Sequence, residues 1–213
     1  MTPPLQGAAT HLRTHLPSHL PTHLLYLHGF RSSPLSFKAQ RLQRWLREHR
    51  PDVQWWCPQL PPSPRDAMAL VHGGIRGWPD DTSAVLGRSL GGFYATAVSE
   101  ATGWPAVLIN PAVDPARDLA AYVGELTAFH NPQEHFFFRA EFIDELRVLT
   151  VPAITRPERH LPIIAKGDDV LSWREMSARY AGTPMRLIDG SDHALSDFED
   201  HLPHLLKFLK LCD

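Results

Sequence analysis

The chain has 213 residues, a formal net charge of −2, 43% hydrophobic and 21% charged residues, which is ordinary for one globular domain with a sizeable core. No basic excess points to a nucleic-acid partner, no apolar run approaches a membrane span, and the first residues lack the basic-then-apolar order of a signal peptide. Cys57 and Cys212 are the two cysteines; they suggest no disulfide framework, and a cytoplasmic chain with reduced thiols, Cys57 among them as a buried one, is the expectation.

Residues 1–22 read as a low-complexity tail built on a repeated Thr/Ser-His-Leu unit. It sets His11, His15, His19 and His23 at i, i+4 spacing, which on a helix would make a metal-binding stripe. Pro17 and Pro21 oppose that helix, so no metal is expected. From residue 23 to 213 a single domain is expected, alternating strand and helix. Leu24–Leu27 is an apolar strand ending at His28-Gly29-Phe30. Helical spacing follows over 36–49, with Phe37, Leu42, Trp45 and Leu46 on one face. Val53–Cys57 is a second strand stopped by Pro58, and 65–75 a helix after Pro64. Ser83–Leu86 is a third strand and 90–101 its helix. Ala106–Ile109, closed by Asn110-Pro111, is a fourth. Leu161–Ala165 and Met185–Ile188 are the last two strands, with helices at about 173–180 and 196–209. Regular βα alternation with short apolar strands means a mostly parallel six-stranded sheet covered by helices on both faces. The segment from about 112 to 160 breaks the rhythm and carries the aromatic run Phe136-Phe137-Phe138. It reads either as a short cap over a site at the strand ends or as extra packing.

The stretch Val85-Leu86-Gly87-Arg88-Ser89-Leu90-Gly91-Gly92 runs from strand through G-x-S-x-G into helix, the context of a nucleophile elbow. Gly87 and Gly91 flank the serine because a Cβ at either would collide with the neighbouring strand or helix. The Leu90 amide is left free at a helix N-terminus, where it can face developing negative charge. The order serine, acid, histidine is then required. Ile163-Ile164-Ala165-Lys166-Gly167-Asp168-Asp169 and Leu187-Ile188-Asp189-Gly190-Ser191-Asp192-His193 each bring a strand into a loop carrying the needed type. His193 is the expected base and Asp168, first out of its strand, the expected acid, with Asp169 as the rival and Asp192 a weaker one. The second oxyanion donor is expected from the loop after the first strand, as the Phe30 amide beside that of Leu90. His28 is expected to be structural, bonding backbone and holding that loop. No cofactor or metal is called for.

Several of these strings resemble the YqiA-type bacterial esterases. They are Leu25-Tyr26-Leu27-His28-Gly29-Phe30-Arg31-Ser32-Ser33-Pro34, Pro58-Gln59-Leu60-Pro61-Pro62, Gly87 to Thr96, Asn110-Pro111-Ala112-Val113, Gly167 to Leu171 and His193-Ala194. The resemblance spans about residues 24–210. It implies a compact α/β-hydrolase fold lacking the first strands of larger members. It also implies hydrolysis of short- or medium-chain carboxylic esters, with Ser89, Asp168 and His193 as nucleophile, acid and base. Two features depart from the pattern: the histidine tail, and Arg88 where the family often has a small residue. Arg88 could pair with a nearby carboxylate or restrict the pocket. The expected function is a cofactor-free serine esterase acting on a small acyl ester. An acyl thioesterase and a non-catalytic binding protein on a hydrolase fold are the alternatives. No basic cluster marks a coenzyme A phosphate site, so oxygen esters come first.

Overall fold

A computed structural model describes residues 20–212. The elements in chain order are β1 (His23–Leu27), α1 (Phe37–His49), β2 (Gln54–Trp56), α2 (Pro64–Gly74), β3 (Ser83–Arg88), α3 (Leu90–Thr102), β4 (Ala106–Ile109), α4 (Pro115–Asp118), β5 (Gly124–Thr127), β6 (His135–Phe138), α5 (Glu141–Leu149), β7 (His160–Ala165), α6 (Trp173–Arg179), β8 (Arg186–Ile188) and α7 (Phe198–Phe208). Local chemistry sets several boundaries. Ser63 accepts a hydrogen bond from the Asp66 amide and Pro64 fills the first position of α2. Gly103, at φ 79°, closes α3 in the left-handed conformation.

Six strands form one sheet in the order β2-β1-β3-β4-β7-β8, and every pairing in it is parallel. All six therefore end at one edge. The central strands β3, β4 and β7 are buried nearly throughout, as their unbroken apolar runs require. Alternation along them separates two cores. Leu24, Tyr26, Ala84, Leu86, Val107 and Ile109 pack with Leu42 and Leu46 of α1 and with Phe198, Leu202 and Leu205 of α7. Leu25, Leu27, Val85, Ala106 and Leu108 face Ala67 and Val71 of α2, Phe93, Ala95 and Val98 of α3, and Ile143 and Leu146 of α5. Each fully buried Leu or Ile in these layers contributes about 1.5–3 kcal/mol. Among the described residues, no helix is long and apolar enough to cross a membrane.

Between β4 and β7 the chain builds α4, then an antiparallel hairpin of β5 and β6, then α5. The hairpin is a separate two-stranded sheet that periodicity did not disclose. The tail stripe of His11, His15 and His19 lies outside the described residues, whereas His23 is the first residue of β1. Cys57 is only partly buried, contrary to expectation, because it sits just past the short edge strand β2. Both Cys57 and Cys212 are free, and burial pushes the Cys57 thiol up to about 12.

Candidate active site

The turn from β3 into α3 holds Ser89 at φ 54° and ψ −121°, a region that non-glycine residues rarely adopt. The turn is fixed from both sides. The Ser89 amide donates to the Ile109 carbonyl at 2.9 Å, and the Ser89 carbonyl accepts from the Gly92 and Ala112 amides at 2.8 and 3.0 Å. A Cβ on Gly87 would lie 2.1 Å from the Gly91 carbonyl oxygen, and one on Gly91 would lie 2.0 Å from that of Leu27. The helix can approach the strands this closely only because both side chains are hydrogen. Arg31, Ser89, Asn110 and Ser191, four of the six non-glycine residues with positive φ among the described residues, lie in loops at this same edge.

The loops after β7 and β8 bring two more groups to Ser89. His193 Nε2 lies 3.1 Å from Ser89 Oγ, and His193 Nδ1 lies 2.8 Å from Asp168 Oδ2. A carboxylate only accepts, so the ring proton sits on Nδ1 and leaves Nε2 free to accept from the serine hydroxyl. The Asp168 side chain is fully buried, and its other oxygen accepts from the amides of Val170 and Leu171 at 2.8 and 2.7 Å. The rivals stand elsewhere. Asp169 is exposed, and Asp192 spends its carboxylate on the amide and hydroxyl of Ser196 at 3.0 and 2.6 Å. Those bonds hold the Asp192 carboxyl below its usual range.

The loop after β1 passes close to Ser89: a Cβ on Gly29 would come within 3.3 Å of Ser89 Cβ. His28 is buried and anchors this loop. Its Nε2 accepts from the Leu60 amide at 3.0 Å, so the proton is on Nδ1, which donates to the Gly29 carbonyl at 3.0 Å. Desolvation lowers its pKa, which keeps the ring neutral in that role. Phe30 follows, and Leu90 opens α3 on the other side. Side chains of both residues line a cavity of about 340 Å³ that continues past Leu60, Pro61, Tyr94, Ala128 and Phe136. The walls are mainly apolar, with His130 and Glu134, 3.2 Å apart, as a polar pair among the lining residues. Ser89, the neighbour of Leu90, and His193 are not among them.

Two residues that sequence reasoning did not assign tie these loops together. Asn110 is wholly buried at the end of β4. Its Oδ1 accepts from the Ala165 amide at 2.8 Å, and its Nδ2 donates to the carbonyls of Asp192 and His193 at 3.0 and 3.1 Å. Arg88 also reaches the His193 carbonyl, from Nη2 at 3.2 Å. It lies beneath the histidine loop, in the field of Tyr26, Asp168 and Asp192. Burial lowers the guanidinium pKa, and those three groups partly offset the effect. The Asn-Pro pair had signalled only a strand end. Its spacing from Asp168 and His193 in sequence carries no hint of the contact.

A model of the uncharacterised protein family UPF0227 matches residues 23–210. The chain belongs to that family. Its span coincides with the YqiA-type resemblance read from the sequence strings. A UPF0227 protein of Yersinia pseudotuberculosis is 27% identical over 187 residues, covering 85% of this chain and 94% of the relative. A UPF0227 protein of Yersinia pestis matches to the same degree. Among solved structures, alpha/beta hydrolase domain-containing protein 10 from mouse superposes with a TM-score of 0.64 at 15% identity, covering 89% of this chain and 90% of the other. A metagenome-derived lipolytic enzyme from the LipS and LipT pair gives 0.65 at 19%, covering 89% and 94%. The monoacylglycerol lipase of Paleococcus ferrophilus gives 0.62 at 14%, covering 89% and 95%. These likenesses establish that this UPF0227 chain has the α/β-hydrolase fold.

Proposed function

We propose that this UPF0227 member is a serine carboxylesterase acting on short- to medium-chain acyl esters. The observation that carries the reading is the unbroken hydrogen-bond chain from Asp168 through His193 to Ser89, on a turn strained to present that serine. In this reading Ser89 Oγ attacks the ester carbonyl carbon while His193 Nε2 takes its proton. Asp168, fixed by two amides, holds the ring tautomer and stabilises the imidazolium. The carbonyl oxygen, now negative, accepts from the Phe30 and Leu90 amides, neither of which donates elsewhere among the described residues. The tetrahedral adduct then collapses. The C–O bond to the alcohol breaks, and His193 returns the proton to the departing oxygen. Water, deprotonated by His193, attacks the acyl-serine and releases the acid by the same steps in reverse order.

The leaving oxygen must reach His193 Nε2, so the alcohol lies on the histidine side. The acyl chain is then assigned to the cavity lined by Phe30 and Leu90, the residues whose amides are the proposed oxyanion donors. Its volume is near the lower end of the roughly 300–1,000 Å³ typical of small-molecule sites, which favours short or medium chains.

Hydrolysis of p-nitrophenyl butyrate by the wild type and four variants tests the assignment. Ser89→Ala and His193→Ala are expected to lose a factor of about 10⁴ or more in kcat, and Asp168→Asn about 10³–10⁴. Asp169→Asn is expected to stay within about threefold, as a surface change does. Undiminished turnover by Ser89→Ala, or a deeper loss in Asp169→Asn than in Asp168→Asn, would overturn it.

A further inference from the structure

The loop proposed to carry the second oxyanion donor is not held by the sheet alone. Immediately after Phe30, Arg31 stands at φ 59° and turns back onto the β5–β6 hairpin. Its Nε donates to the Thr127 carbonyl at 2.7 Å and its Nη2 to Thr127 Oγ1 at 3.1 Å. Its guanidinium lies 4.2 Å from the centre of the Phe129 ring, and its own carbonyl accepts from the Phe129 amide at 2.8 Å. The Phe30 ring meets the same region edge-on, 5.1 Å from Phe138, 6.3 Å from Phe136 and 5.9 Å from Tyr122. The Phe30 amide therefore sits between His28, which fixes it from the sheet side, and a residue pair clamped to the hairpin.

The acyl cavity lies between the same two parts. Phe30 and Arg31 line one side, and Ala128, His130, Glu134 and Phe136 of the hairpin line the other. A chain that fills this space lies against Arg31 and against Ala128, which stands between Thr127 and Phe129, the two hairpin residues that Arg31 holds. We propose that Arg31 is a positioning residue that couples the Phe30 oxyanion amide to the β5–β6 hairpin, so that a well-fitting acyl chain raises kcat rather than only lowering KM. The inference rests on the esterase reading. It follows the general rule that binding energy remote from the reacting bond accelerates the reaction only where it is realised in the transition state. A planar fork on a carbonyl and a hydroxyl, stacked on a ring, is a task for arginine that lysine does not reproduce.

The test uses p-nitrophenyl acetate, butyrate and hexanoate with the wild type, Arg31→Ala, Arg31→Lys, Phe129→Ala and Ser89→Ala, together with inhibition by butylboronic acid, whose adduct on serine is tetrahedral. In the wild type kcat is expected to rise from acetate to butyrate. Arg31→Ala is expected to lower kcat on butyrate by about 10–100-fold, short of the 10²–10³ for outright loss of a donor, with KM within about threefold. The rise with chain length disappears, and boronate inhibition weakens by the same factor as kcat/KM. Arg31→Lys restores less than about a tenth of the lost rate, and Phe129→Ala, which removes only the ring under the guanidinium, loses about two- to fivefold. If Arg31→Ala does not fold, Arg31→Lys and Phe129→Ala carry the test. Wild-type kcat in the Arg31 variants, or a change confined to KM with the chain-length rise intact, overturns the coupling alone. Absence of Ser89-dependent hydrolysis in the wild type overturns the esterase reading, and the coupling with it.

Discussion

The Asn110 side chain ties the end of β4 to the end of β7 and to the histidine loop, and at φ 40° the residue adopts a backbone conformation that asparagine tolerates better than most residues. Asn110→Ala would strand the Ala165 amide, and it would leave the Asp192 carbonyl to the Leu195 amide and the His193 carbonyl to Arg88. The stranded amide costs about 1–3 kcal/mol and each of the two lost hydrogen bonds about 0.5–1.5 kcal/mol, so the total is expected on the order of 2–4 kcal/mol, read as a lowered Tm. Turnover of a butyrate ester should fall by about tenfold or more, because the His193 loop loses its fixed distance to Ser89. Unchanged melting and turnover would remove Asn110 from the account. Ser89, Asp168 and His193 could be picked out of the sequence because each is a reactive type directly after an apolar strand. Asn110 and Arg88 could not be given roles, because what they do depends on β4, β7 and β8 being neighbours in space. Asn-Pro after a strand reads only as a stop, and an arginine beside Ser89 has no meaning until the loop above it is known.

At the level of elements, the six sheet strands were legible because β-branched and aliphatic runs of a few residues alternate with helical periods. The structure places their boundaries within about two residues of the sequence reading, the ordinary ambiguity of element ends. The hairpin was not legible. β5 and β6 have four residues each, and His135–Phe138 shows no period-2 alternation. What pairs Gly124 with Phe138 and Thr127 with His135 is the packing of the aromatic run beside Phe30, not local propensity. The hairpin supplies one wall of the cavity, so its side chains should set chain-length preference. Phe136→Ala shortens that wall, and its kcat/KM optimum across p-nitrophenyl esters is expected to move to chains longer by about two carbons or more. An unmoved optimum would mean that the acyl chain does not lie there.

Across the whole molecule, the parallel sheet gathers the chemistry at one edge and leaves the opposite edge to structure. His160 opens β7 at that far edge, fully buried, with Nδ1 donating to the Arg156 carbonyl at 3.0 Å. Desolvation lowers its pKa, as it does for His28, and the Arg156 carbonyl and then Glu100 offset this only in part. A histidine with a lowered folded pKa binds fewer protons than the unfolded chain at pH values between its folded value and 6.5. Its contribution is therefore complete above 6.5 and is lost as pH falls below that value. Tm is expected to fall between pH 7 and 5, ahead of any carboxylate titration, and to fall less steeply in His160→Gln, which lies away from the site. Equal slopes would contradict this.

The proposed esterase activity requires an activated Ser89, and reaction with a fluorophosphonate followed by mass spectrometry of the Ser89 peptide is its sharpest test. Stoichiometric phosphonylation at Ser89 Oγ is expected, abolished in Ser89→Ala and slowed by about 10³-fold or more in His193→Ala. A folded wild-type protein that leaves Ser89 unmodified, or that is labelled equally well without His193, would contradict it.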